Sequence, residues 1–326
     1  MTDLNPSIVS YFPLTSGRYE VKVGLHTFGM DFGNGGADRK LFQIDENFAH
    51  YRQAKLAARS ERLSKYYQLH RYSLSVAREI ASFVAQQLAQ EHPDFFVREC
   101  LTRDRTALHC SLTSEVLVFD SDMKLIESTG KVNPPYASSF DALACQVQED
   151  LAVMRLSSHD WLSAAHICFP NHWGAEAKIG CGFADIHRPV PGIERISANA
   201  RLLVTAMVNQ GPYVRFVWGL ATDTRLNHHP DPPPGFCERQ WNGRLFDTSQ
   251  PQLWLRVERQ ASWGFPGVTA ALFTIRTYLM DCHTIKNDPG KRSKLISAID
   301  SMGPEALHYK GMVHNRENIL AWLRSP

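Results

Sequence analysis

Two stretches late in the chain limit its fold more than any other feature. Leu253-Trp254-Leu255-Arg256-Val257-Glu258-Arg259-Gln260 and Leu272-Phe273-Thr274-Ile275-Arg276-Thr277-Tyr278 are apolar runs interrupted by charge. Both have the β-branched and aromatic content of strands. Period-two alternation puts Trp254, Arg256, Glu258 and Gln260 on one face and Leu253, Leu255, Val257 and Arg259 on the other. In the second stretch it groups Thr274, Arg276 and Tyr278. A charge in the middle of an apolar strand is costly unless paired. Arg256 with Glu258, or Arg259 or Arg276 with a bound carboxylate, would satisfy that requirement. An internal salt-bridge network that only fixes strand register would satisfy it too.

Around these strands the pattern is mixed. Residues 46–68 and 73–90 read as helices, the second with Val76, Ile80, Phe83, Val84 and Leu88 at helical spacing before His92-Pro93 stops it. Both also fit simple packing helices. Residues 115–119, 163–169 and 213–220 read as strands, and 141–154 as an amphipathic helix with Leu143, Val147, Leu151 and Met154 on one side. Residues 194–209 and two pieces around 295–302 and 305–322 are expected to be helical. Asp31 to Gly36 reads as a turn. Helices before and after a set of antiparallel-type strands predict an α+β domain. No glycine-rich phosphate loop is present.

The charge balance, 35 basic against 33 acidic residues, leaves no footprint for nucleic acid or an anionic membrane. No apolar run approaches the roughly 20 residues that span a bilayer. The first residues, MTDLNPSIVSYFPLTSG, lack a basic region followed by an apolar stretch, so a cytoplasmic location is expected. Seven scattered cysteines with no CxxC pair argue against a disulfide framework or a zinc ribbon.

Potential chemistry is densest in His166-Ile167-Cys168-Phe169-Pro170-Asn171-His172-Trp173, then Lys178-Ile179-Gly180-Cys181, then Ile186-His187-Arg188-Pro189-Val190-Pro191-Gly192. Four readings compete. One is a zinc site from His166, Cys168 and His172, whose spacing matches no standard pattern. The second is a cysteine–histidine nucleophilic pair. The third makes Cys168 a small core hydrophobe and the histidines structural. The last is an axial haem ligand facing an apolar pocket. For that role His187 has the best setting, with Pro189 and Pro191 stiffening the backbone after it and Phe183 and Ile186 beside it.

AHICFPNHW, KIG, IHRPVPG, RVERQ and LFTIRTY, in this order, resemble the signature of the haem-dependent oxidative N-demethylase family. Lys22-Val23-Gly24-Leu25 is similar to that family's opening element, and Gln148-Glu149-Asp150-Leu151 to its QEDL run. The resemblance implies a single domain, with a helical region at about 40–95, a PAS-like antiparallel core at about 110–280 holding a haem pocket against the sheet, and C-terminal helices at about 290–326. It implies haem b and oxidation of a small methylated amine by oxygen with release of formaldehyde. Electrons would come from NADPH through separate flavin and iron–sulfur partners. His187 matches the family's histidine and becomes the expected iron ligand. Cys168 and Trp173 match its CFPSxW element, Arg256, Glu258 and Arg259 its RVERQ element, and Arg276 and Tyr278 its TIRTY element. Arg256, Arg259 and Arg276 are thereby expected to bind propionates. Glu258, which would hold the amine, and Tyr278 are the expected catalytic residues. Two departures stand out: Val217 where the family's RxNW has Asn, and Gly264 where it carries a basic residue that could contact haem or a redox partner. They motivate an alternative, a non-catalytic PAS-like haem-binding or sensor protein.

Overall fold

The computed structural model describes residues 9–325. Among them, eleven strands form two antiparallel sheets. The strands are β1 (His26–Thr27), β2 (Tyr67–Leu69), β3 (Phe96–Thr102), β4 (Arg105–Cys110), β5 (Glu115–Asp120), β6 (Leu125–Ser128), β7 (Asp150–Leu156), β8 (Asp160–His166), β9 (Tyr213–Ala221), β10 (Trp254–Phe265) and β11 (Ala270–Asp281). The larger sheet has the order β1-β9-β10-β11-β7-β8-β2, and β3 to β6 form a small meander in chain order. Helices pack on both faces of the larger sheet, so the expected α+β class holds. No helix among the described residues is long and apolar enough to cross a membrane.

The two charged strands pair along their full length, Trp254 opposite Asp281 through to Phe265 opposite Ala270. The alternation read from the sequence is therefore the alternation of the sheet. One face of β9–β10–β11, the front, carries Arg215, Val217, Gly219, Arg256, Glu258, Gln260, Phe273 and Ile275. The back carries Phe216, Trp218, Val257, Arg259, Arg276 and Tyr278.

The back is sealed by two apolar layers. Helices α1 (Phe48–Tyr66) and α2 (Leu74–Glu91) lie at one end. Val76, Ile80, Val84 and Leu88 of α2 recur every four residues, which puts them on one stripe, and all are buried against Leu151, Val153, Ala261 and Leu272. At the other end the helices Cys282–Asn287, Pro289–Asp300, Pro304–Tyr309 and Arg316–Arg324 bury Leu255, Val257 and Tyr278. On the front, the short helix Phe183–His187 and the helix Ala200–Asn209 pack over Ala152, Met154, Ala165 and Ala271.

One expected helix is a strand. Residues 141–154 divide into a short helix, Ser139–Ala144, and β7. Leu151 to Met154 are buried on both faces of the sheet, and a doubly buried strand shows a continuous apolar run that helical periodicity mimics. The polar QED run before it is turned inward as well. Glu149 accepts from the Gln43 N–H at 2.8 Å, and Asp150 from the N–H groups of Cys168 and Phe169 at 2.9 and 2.8 Å. These carboxylates close loops from elsewhere in the chain instead of facing water. The meander strands β3, β4 and β6 also escaped the sequence reading, and the helix expected over 194–209 is broken into Glu194–Ser197 and Ala200–Asn209.

Candidate functional site

The middle of a seven-stranded sheet is normally its driest part. On the front, however, Arg215, Val217, Glu258, Gln260, Phe273 and Ile275 all stay partly exposed. The back-facing neighbours Val257, Arg259, Ala261, Leu272, Thr274 and Arg276 are buried. The helix Ala200–Asn209 covers only one end of the front. At that end Gly264 lies under it: a side-chain carbon there would stand 2.6 Å from the Met207 carbonyl oxygen and closer still to that of Val208. A basic residue at 264 has no room in this chain, so the departure from the family's basic residue read from the sequence goes with a packing role for Gly264. Beyond that helix, the half-buried Trp173, Ile179, Ile186 and Val190 pack with the buried Phe183 alongside the central strands, and the strip of partly exposed front residues they flank is the candidate groove. Partly exposed apolar side chains gathered on one face are where a ligand could lie.

His187 ends the helix Phe183–His187 beside this strip. Its Nδ1 lies 2.8 Å from the Phe183 carbonyl oxygen, and its ring sits on the Phe183 ring at 4.2 Å. A carbonyl can only accept, so Nδ1 carries the proton and Nε2 keeps its lone pair. Nε2 has no hydrogen-bond partner among the described residues. Burial pushes the imidazole down to about 4, the Phe183 bond opposes this, and Arg215 and Lys178 add to it. The segment is held by Lys178, whose Nζ donates to the Ile186 carbonyl at 2.8 Å. A neutral imidazole with a fixed tautomer and a bare Nε2 is the form that ligates a metal.

The second property of the groove is its charge. Arg215 faces Gln260 across the β9–β10 pair, and Arg256 faces Gly219. Arg244 donates to the Tyr309 carbonyl at 3.2 Å, and Lys310 to the Trp218 carbonyl at 2.6 Å. Arg256 spends its outer nitrogens on the carbonyls of Leu226 and Phe169, at 3.0 and 2.7 Å. None of these four cations forms an ion pair among the described residues, and the Nε atoms of Arg215, Arg244 and Arg256 are buried without an acceptor. Burial lowers all four, taking Lys310 to about 8. The carboxylate that acts on Arg215, Arg256 and Lys310 alike is that of Glu258, which accepts from Gln260 Nε2 at 2.9 Å.

The far end of the groove is a histidine stack. His172, with a left-handed φ of 66°, lies parallel to His228 at 5.6 Å and 3°. His228 Nε2 bonds Asp223 at 2.9 Å, while its buried Nδ1 has no partner. His172 is pushed down to about 2 by burial and by Arg244, His228 and Arg256.

Of the residues singled out from sequence, His187, Glu258, Arg256 and Trp173 belong to the front. Arg259, Arg276 and Tyr278 do not join them. Arg259 donates to the Lys40 carbonyl at 3.0 Å on the back. Arg276 pairs with Asp45 at 2.8 Å and lies over the Tyr51 ring at 4.0 Å, and Tyr278 donates to Gln43 Oε1 at 2.6 Å. The tight alternation of β10 separates Arg256 from Arg259, because an odd spacing points the two to opposite faces. Cys168 is sealed inside: its Sγ sits 3.7 Å from His166 Nδ1, and burial raises the thiol strongly. His166 Nε2 in turn meets Asp141 at 3.0 Å. Asp141, Cys145 and His166 are close enough to hold a metal, but the Arg59 fork occupies both Asp141 oxygens at 2.8 Å each. That cluster reads as a structural network. The zinc set His166, Cys168 and His172 is not gathered, since His172 stands at the groove's end. Arg244 and Lys310 are additions that no spacing rule could supply, because Lys310 meets β9 across 92 positions.

The fold and these side chains define a class: an α+β protein whose antiparallel sheet carries cations without ion pairs and, beside its front face, a neutral imidazole. Residues 36–320, nearly the whole chain, match the family described as haem-dependent oxidative N-demethylase, alpha subunit-like. The chain belongs to that family, whose name indicates dependence on haem.

Proposed function

We propose that the front groove binds haem b and that the chain is an oxidative N-demethylase-like oxidoreductase built on a PAS-like core. The observation that carries this reading is the pairing of a bare His187 Nε2 with buried cations that lack carboxylates. Haem needs an axial base, apolar walls and partners for two propionates. His187 would supply the base. Trp173, Phe273 and Ile275 would lie against the ring. Arg215, with no hydrogen bond of its own, is the first choice for a propionate, since a guanidinium suits a carboxylate fork. In this assignment Arg215 takes the role that the sequence gave to Arg259 and Arg276, which face the back, Arg276 paired with Asp45 and Arg259 bonded through one nitrogen to the Lys40 carbonyl.

When bound, haem supplies the oxidation of an N-methyl carbon that ends in formaldehyde, with electrons delivered from NADPH by separate flavin and iron–sulfur components. The protein's own part is placement. Glu258 offers a carboxylate to a substrate ammonium and is aimed by Gln260. Lys178 fixes the His187 segment through the Ile186 carbonyl. The test is formaldehyde release from methylated amines with oxygen and a reductase system. Glu258→Gln should raise KM by about ten-fold, the loss of roughly 1.4 kcal/mol from one charge contact. Haem-loaded protein that releases no formaldehyde from any methylated amine would favour a non-catalytic haem-binding role.

A further inference from the structure

Resting on that reading, we infer that the amine this chain takes is an N-methylalkylamine larger than dimethylamine. Its ammonium meets Glu258 and its alkyl chain lies on Val217, which is thereby the residue that sets the preference among amines. The argument starts from strand register. Glu258 stands directly opposite Val217 on β9 and Thr277 on β11. Directly opposed side chains of an antiparallel pair have Cβ atoms about 4.5–5.5 Å apart. Val217 therefore lies within reach of whatever the Glu258 carboxylate holds. Thr277, on the other side, is fully buried, and its hydroxyl accepts from Arg256 at 3.3 Å.

Both halves of this corner are unfilled. Gln260 donates to one Glu258 oxygen at 2.9 Å, and the other oxygen has no hydrogen-bond partner among the described residues. Val217 is partly exposed and joins none of the apolar clusters that the described residues form. A lone exposed valine is ordinary on a protein surface, but this one stands beside the carboxylate at the middle of the sheet's front. The adjacent row, Arg215, Gln260 and Ile275, lies toward the His187 segment. Arg215 acts on His187, and Ile275 packs on the same apolar cluster as Ile186. The methyl group to be oxidised must point along that row. In dimethylammonium a single methyl is then left to cover Val217, and a longer alkyl chain in its place removes that side chain from water. Burying a methylene strengthens binding about four-fold, so three of them half covered give about ten-fold.

The experiment is a pair of titrations on the full chain after haem loading, with N-methylbutylammonium and with dimethylammonium, read by the Soret difference spectrum and by calorimetry. The expected result is a Kd for N-methylbutylammonium about ten-fold below that for dimethylammonium. Val217→Asn should erase most of that preference by weakening N-methylbutylammonium alone. Val217→Thr, which keeps the branched shape a strand favours, is the second variant, with the same expected direction. The inference is overturned if dimethylammonium binds as tightly as N-methylbutylammonium, or if both variants leave the N-methylbutylammonium Kd unchanged. Glu258→Gln should weaken both ions alike. A Glu258→Gln chain that binds both as the wild type does, or a wild type that gives no heat with either ion, refutes the amine site itself and the inference with it. A chain with no Soret band refutes the haem reading separately, and the calorimetric comparison of the two ions still decides the contact with Val217.

Discussion

Gly264 and Asp141 show how much single positions carry here. Gly264 is the point at which the helix Ala200–Asn209 meets β10, with two backbone carbonyls where a side chain would stand. Carbonyls of a packed helix end cannot yield as a flexible side chain does, so Gly264→Ala should cost about 1–3 kcal/mol, read as a lower midpoint of thermal unfolding. A wild-type midpoint in that variant would mean the helix is not seated as described. Asp141 titrates far from its ordinary range: burial acts to raise it, but bonds from His166 and Arg59 outweigh burial and hold it well below 3.8. A carboxylate lowered in the folded state stabilises fully above its unfolded value and loses that contribution as pH falls toward the folded one. Acid unfolding of the wild type should therefore include a loss below about pH 4 that Asp141→Asn lacks. Arg59→Ala, which strands a buried carboxylate, should destabilise by about 3–5 kcal/mol. Denaturant midpoints at neutral pH check this.

At the scale of elements, strands declared themselves where one face differed from the other. The alternation of 253–260 and 272–278 survived intact into β10 and β11, and the four-residue stripe of 74–91 became the buried side of α2. Leu88→Ala on that stripe should cost about 2–5 kcal/mol, measured by chemical denaturation. β7 was illegible because both of its faces are buried, so no alternation was left to read. Of the site, the IHRPVP segment pointed to His187 through its stiffness and apolar neighbours, and RVERQ pointed to Glu258. Which arginines share a face with His187 depends on the pairing of β9 with β10 and on where the C-terminal helices return, and neither is a local property. Arg215 was visible as a residue of β9, but its lack of a counter-charge appears only in three dimensions. Arg215→Gln should weaken haem binding by about ten-fold or more, the loss of one charged hydrogen bond, while Arg259→Gln should leave it within two-fold of wild type. Hemin titration of the two variants separates the front face from the back.

For the molecule as a whole, a net charge of +2 conceals an uneven distribution. The back of the sheet pairs Arg276 with Asp45 and leaves Arg259 near Glu91, whereas Arg215 and Arg256 on the front form no ion pair among the described residues. A fold that leaves such a face open is stabilised by whatever ligand fills it, in proportion to the logarithm of ligand concentration over Kd. The measurement that tests this account most directly is the absorption spectrum of the chain purified from haem-supplied cells, taken beside that of His187→Ala. The account predicts a Soret band at about one haem per chain, with its position changed or the band lost in His187→Ala. A colourless wild-type protein, or an identical spectrum in His187→Ala, would contradict it.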